Sequence, residues 1–235
     1  MRKKNPIKIL QRIVLICIIV IVAFAACALG YAFFEMRMEQ SETQSGQEEI
    51  SGNASGNGGP EQWQAEGAPF IDLTPNSYSR PQISMEQVNY IAIHYTANPG
   101  STAVSNRNYF ENLAITQDNK VSSHFVVGLE GEVVQCIPTS EMSYATNSRN
   151  VDTISIECCH PDETGQFNTA TYDSAVKLTA WLCTRFGLTS DQVIRHYDVT
   201  GKDCPKYYVE NPDAWIQMKS DIAAQIQTDY ALQGK

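Results

Sequence analysis

Two histidines, a cysteine, a lysine and a glutamate in this chain have the types and spacing for hydrolysis around one metal ion. The stretch Arg195-His196-Tyr197-Asp198-Val199-Thr200-Gly201-Lys202-Asp203-Cys204-Pro205 carries a histidine, a lysine and a cysteine within ten residues. Far upstream, Ile91-Ala92-Ile93-His94-Tyr95-Thr96 delivers a second histidine at the end of an apolar run. Imidazole and thiolate are preferred zinc donors, and a hydrolytic site uses three protein ligands with one position left open. His94, His196 and Cys204 would supply the three. An ion held there draws the pKa of water towards neutrality and polarises a carbonyl. Glu157 is suited to move the proton, and Lys202 to steady the developing oxyanion.

Each residue taken singly has a plainer reading. A strand-end histidine such as His94 or His196 is more often hydrogen-bonded structure than a ligand, and a lone cysteine is usually a small buried residue. Glu157 could be an edge-facing carboxylate and Lys202 a solvated loop charge. Joint occurrence is what favours the site. His124 and His160 read as structural, with His124 placed to orient another ligand.

The elements that must position these residues follow from periodicity. Residues 88–94 read as a strand bounded by Asn98-Pro99-Gly100, and Ser105 to Leu113 as a helix. Residues 123–128 and 132–137 form a hairpin around Leu129-Glu130-Gly131, with Gly131 at the position that needs positive φ. Thr153 to Cys159 alternates, with Ile154, Ile156 and Cys158 on one face and Ser155, Glu157 and Cys159 on the other. A helix is expected from about Thr171 to Phe186, stopped by Gly187. Val193 to His196 reads as a short strand. A last helix opens with Asn211 as cap and Pro212 in the first turn. This alternation predicts a single α/β domain with a central mixed β-sheet flanked by helices.

Composition divides the chain into four parts. Residues 1–12 are a basic tail with Arg2, Lys3, Lys4, Lys8 and Arg12 and no acidic residue. Residues 13–34 carry no charge, and their length suits one bilayer-spanning helix of about 20 residues. The charge asymmetry predicts a single-pass anchor in a bacterial cell membrane, N-terminus in the cytoplasm and the remainder outside. Two readings compete with that anchor. A cleaved signal peptide has a shorter apolar core, of about 7–15 residues. A lipoprotein signal at Phe24-Ala25-Ala26-Cys27 leaves the apolar run beyond Cys27 unexplained. Residues 35–66, rich in Ser, Gly, Gln, Glu and Asn, read as a flexible linker. Residues 67–235 remain for one well-buried domain, expected to be monomeric. Five of the 17 basic residues lie in the first twelve positions, leaving 12 against 26 acidic ones, a balance of −14. That excludes the basic footprint nucleic acid requires. Of seven cysteines, Cys136, Cys158, Cys159, Cys183 and Cys204 lie outside the apolar segment. No CxxC pair points to a disulfide framework or a zinc finger.

Four motifs in order resemble the zinc-dependent N-acetylmuramoyl-L-alanine amidases, whose fold is shared with peptidoglycan recognition proteins and phage T7 lysozyme. They are Ile93-His94-Tyr95-Thr96, Ser122 to Glu132, Ile154-Ser155-Ile156-Glu157 and Arg195 to Pro205. The resemblance covers roughly Tyr90 to Ile222. It implies one catalytic Zn2+ on His94, His196 and Cys204, with Lys202 as oxyanion stabiliser and Glu157 as the base used by one branch of the family. The implied reaction cleaves the amide between N-acetylmuramic acid and L-alanine of the peptidoglycan stem peptide. One departure is plain: the lysozyme and recognition-protein branch carries a catalytic tyrosine where this chain has Ser123, so that role does not carry over. The rival expectations are a muramyl-peptide recognition module that binds without cutting, and a zinc peptidase acting within the stem.

Overall fold

The computed structural model describes residues 72–233, with side chains to residue 229. The basic tail, the expected span at 13–34 and the linker lie outside the described residues. Among the described residues no helix is long and apolar enough to cross a membrane.

Five strands form one mixed sheet: β1 (Tyr90–Tyr95), β2 (Phe125–Val127), β3 (Val133–Gln135), β4 (Thr153–Cys158) and β5 (Val193–Arg195), in the order β3-β2-β4-β1-β5. The pairs β1–β4, β1–β5 and β2–β4 are parallel, and the hairpin partner β3 runs antiparallel at one edge. The helices are α1 (Ala103–Thr116), α2 (Thr169–Phe186), α3 (Tyr197–Thr200), α4 (Lys206–Glu210) and α5 (Pro212–Gln233). The α/β expectation holds, and each expected strand and long helix is present within a few residues.

A sheet with a parallel centre must be covered on both faces, and the strand alternation sorts its residues accordingly. Ile91, Ile93, Phe125, Val127, Ile154, Ile156 and Cys158 join Leu182 of α2 and Met218 and Ile222 of α5 in one apolar cluster. On the other side Val126, Val134 and Cys159 pack with Phe110 of α1 and with Leu73. His94 and Glu157 alternate away from the isoleucines, so both fall on the α1 side.

Local chemistry sets the element ends. The Asn168 side chain accepts from the Thr171 amide to open α2, and Gly187, at φ 67°, closes it in the left-handed conformation. Gly131, at φ 82°, turns the hairpin, and a Cβ there would lie 3.0 Å from the Ala170 carbonyl oxygen. Only glycine satisfies both demands. The expected cap at Asn211 takes another form, because its side chain donates to the Tyr207 carbonyl at 2.9 Å and closes α4. The expected strand stops at Arg195, and His196 already has helical dihedrals ahead of α3.

His124 is structural, as expected, and extends the sheet. Its Nδ1 accepts the Ser155 backbone N–H at 3.0 Å, so Nε2 carries the proton and donates to the Glu141 carbonyl at 2.9 Å. The imidazole thus replaces a strand partner for β4 one residue before β2 begins. Burial pulls its pKa down to about 4, against a smaller upward pull from the Glu141 carbonyl and carboxylate. The unfolded chain protonates near 6.5, so between about pH 6.5 and 4 it binds a proton that the native state excludes. Stability from this site is full above that window and falls as pH drops through it, by roughly 3 kcal/mol. Denaturant titrations of metal-free protein should show His124→Gln losing one proton's worth of that slope; an unchanged slope would refute the burial account.

Candidate metal centre and its cleft

The parallel register brings the candidate residues together. His94 pairs with Glu157 across β1–β4, and Ile93 pairs with Arg195 across β1–β5. Three adjacent strands therefore present Glu157, His94 and His196 in a row at their carboxyl ends, where ligands of α/β sheets bind.

Cys204 reaches the same point through a tight return. Gly201, at φ 73°, ends α3, and Tyr197 N–H donates to the Cys204 carbonyl at 3.0 Å. Arg195 holds the base of this loop through Asp198 at 2.7 Å and through the Tyr208 carbonyl at 2.9 Å. The ligand atoms of His94, His196 and Cys204 all lie within 4.8 Å of one another, and all three residues are buried. Cys204 Sγ is 3.7 Å from His94 Nδ1.

Electrostatics at this point fit a cation. Burial drives His94 well below the ordinary histidine range, and the charges of His196 and Lys202 add to that. His196 is lowered by burial and then by Lys202. Burial pushes the Cys204 thiol up to about 12, with Glu157 adding to the rise and the Tyr95 amide and Lys202 opposing it. Burial also lifts the Glu157 carboxyl to about 8 against the pull of Lys202. Glu157 Oε1 is 4.0 Å from His94 Nδ1, and its Oε2 is buried without a hydrogen-bond partner. Two neutral imidazoles and a thiol that converge beside an unpartnered carboxylate oxygen form a donor set of the nitrogen and sulfur type zinc prefers. A divalent cation would reverse the local pKa logic and hold the sulfur as thiolate.

The centre lies in a cleft of about 740 Å³ whose lining includes Tyr109, Lys120, Tyr144, Asn147 and Lys202. Lys120 and Lys202 are the two lysines of that lining, and Glu157 is its one carboxylate. The Lys120 ammonium sits 5.5 Å from the centre of the Tyr144 ring.

Ser123, at the departed tyrosine position, is buried and donates to the carbonyls of Ser155 at 2.7 Å and Phe125 at 3.0 Å, a structural role. His160 is not one of the trio: its Nδ1 meets the Asp162 carbonyl at 2.7 Å. All five cysteines of the described residues are buried and free. Sequence reasoning missed Thr146 and Asn147, which touch the two histidines, because nothing in the spacing of a loop reports which strand end it will cover.

Similarity to known proteins gives the family. Residues 84–207, more than half of the chain, match the N-acetylmuramoyl-L-alanine amidase family, and the chain belongs to that family. It is 35% identical over 149 residues to the N-acetylmuramoyl-L-alanine amidase CwlL of Bacillus licheniformis, a match covering 58% of this chain and 41% of that protein. With the amidase BlyA of Bacillus subtilis strain 168 it shares 30% identity over 172 residues, covering 64% of this chain and 45% of BlyA. The chain spans less than half the length of these relatives. Among solved structures it superposes on the catalytic domain of XlyA with a TM-score of 0.56 and 27% identity, covering 66% of this chain and 99% of that domain. PlyL, at 23% identity and a TM-score of 0.58 over 67% of this chain and 98% of its own, shares the fold.

Proposed function

We propose that this chain is a zinc-dependent N-acetylmuramoyl-L-alanine amidase that releases stem peptides from peptidoglycan outside the cytoplasmic membrane. The observation that carries the reading is the convergence of His94, His196 and Cys204 beside the unpartnered Glu157 oxygen, in a cleft of about 740 Å³. His94, His196 and Cys204 hold the ion, which when bound supplies Lewis-acid polarisation and acidifies water.

The chain's own groups do the rest. Glu157, whose carboxyl burial has made more basic, takes a proton from the attacking water. It then passes that proton to the departing L-alanine nitrogen. Lys202, whose charge acts on His94, His196, Glu157 and Cys204 alike, stands beside the developing oxyanion. Residues 13–34 anchor the chain in the membrane as a single span, and residues 35–66 tether one monomeric catalytic domain within reach of nearby wall strands.

Mass spectrometry of peptidoglycan after incubation with the full-length protein tests this. Free peptide beginning at L-alanine, together with peptide-free glycan, is expected without chelator and absent with it. Binding without cleavage under every metal condition would replace the reading with a recognition module, and fragments cut within the stem would replace it with a peptidase. Glu157→Gln should retain zinc and lose about 10²–10⁴-fold in kcat, the range for a general base. Cys204→Ala should lose zinc and turnover together. Full activity of Glu157→Gln would sink the proton assignment while leaving the metal site standing.

Lys120 offers the cleft a cation at its Tyr144 wall. On muropeptides with free stem carboxylates Lys120→Met should raise KM about two- to fivefold, the scale of an exposed ion pair, with kcat little changed. Amidated substrates should show no difference; an equal rise on both would refute charge recognition.

A further inference from the structure

The turn from Ala145 to Asn150 crosses the front of the site and touches ligands that arrive on two different strands. We infer that this turn selects which nitrogen each histidine presents to the metal, Thr146 acting on His94 and Asn147 on His196. The inference rests on the zinc reading above.

His94 Nε2 lies 3.3 Å from Thr146 Oγ1, and that hydroxyl is 2.9 Å from Ser155 Oγ on β4. In this inference the Thr146 hydroxyl accepts from the His94 Nε2–H and donates its own hydrogen to Ser155 Oγ. His196 Nε2 lies 2.9 Å from Asn147 Oδ1, an acceptor that requires a proton on that nitrogen. With both Nε2 atoms protonated, both Nδ1 lone pairs are free for the metal. For His94 that nitrogen is the one 3.7 Å from Cys204 Sγ.

The turn is built to hold this position. Asn150 Oδ1 accepts the backbone N–H groups of Ala145 at 3.1 Å and of Thr146 at 2.6 Å. Arg149 pairs with Asp152 at 2.6 Å and stacks 3.9 Å above the Tyr90 ring, which fastens the turn to β1 and to the residue just ahead of β4. Asn147 itself sits at φ 53°, in the left-handed region that asparagine tolerates better than most residues. Two consecutive side chains therefore fix two ligands with one piece of backbone. Groups that bind the far nitrogen of a ligating histidine set its tautomer and orientation, and their loss lowers metal affinity roughly 10–100-fold. A turn that only satisfied buried polar atoms would affect stability and leave metal affinity and tautomer alone.

The test uses the full-length protein, with zinc affinity measured by competition against a chromophoric chelator. Asn147→Gly keeps the backbone conformation and removes the acceptor, and should weaken zinc about 10–100-fold. Asn147→Asp keeps an oxygen in place and should stay within about threefold of the parent. Thr146→Val and Thr146→Ser should repeat the contrast at His94. In zinc-loaded protein labelled with 15N-histidine, both rings should carry their proton on Nε2. Parental affinity in Asn147→Gly, or a proton on Nδ1 of His196, would overturn the inference. A parent chain that binds no zinc would instead overturn the metal reading, and this inference with it.

Discussion

Everything at the site depends on the register of three parallel strands. Because β4, β1 and β5 run the same way and pair in step, Glu157, His94 and His196 end side by side although 102 positions separate the first histidine from the second. A slip of one residue in β1 would turn His94 to the α2 side and move its isoleucines out of the core. The same hydrophobic burial that stabilises the sheet therefore fixes the chemistry. Ile91 and Ile93 are buried against α2 and α5, and that burial compels His94 to face the cleft.

The α1 side of the sheet is where polar groups concentrate, and burial makes each of them demand a partner. His124 takes the Ser155 amide, Ser123 takes the Ser155 carbonyl, and the Ser155 hydroxyl meets Thr146, which meets His94. Replacing any one link with an apolar side chain leaves a buried donor or acceptor, at a cost of about 1–3 kcal/mol. The network is thus a stiff mount running from the hairpin to His94. Two faces of one sheet are divided between an oily core and a polar support.

Much of this was legible in the chain before folding. Strand alternation gave the side on which Glu157 falls, Gly131 and Gly187 marked their turns through demands on φ, and the His-Lys-Cys stretch marked one half of the site. What stayed hidden is tertiary. Strand order is a choice among pairings that no local pattern encodes, and Thr146, Asn147 and Asn150 look like any polar loop until the sheet brings His94 and His196 beneath them. The apolar pattern makes His196 the end of a strand, yet its backbone is already helical. Asp198, which ties down Arg195 at 2.7 Å, pulls the chain into α3 one residue early. The apolar segment at 13–34 is legible by length and charge alone, and it lies outside the described residues.

Charge supplies the last constraint. A domain this acidic would repel an anionic polymer, so any attraction has to be local, and the cleft lining carries two lysines against one carboxylate. That carboxylate is itself raised to about 8, which removes much of its charge when no cation is near. The buried trio behaves alike: burial favours neutral imidazoles and a neutral thiol. Lys202 apart, such a centre holds little charge of its own, and a cation that entered it would stabilise thiolate and carboxylate at once. Under that reading, metal binding and activation of Glu157 would be one electrostatic event. On the zinc reading proposed above, a single desolvated pocket would keep the thiol and the Glu157 carboxyl neutral without an ion and ionise both beside it once one arrived.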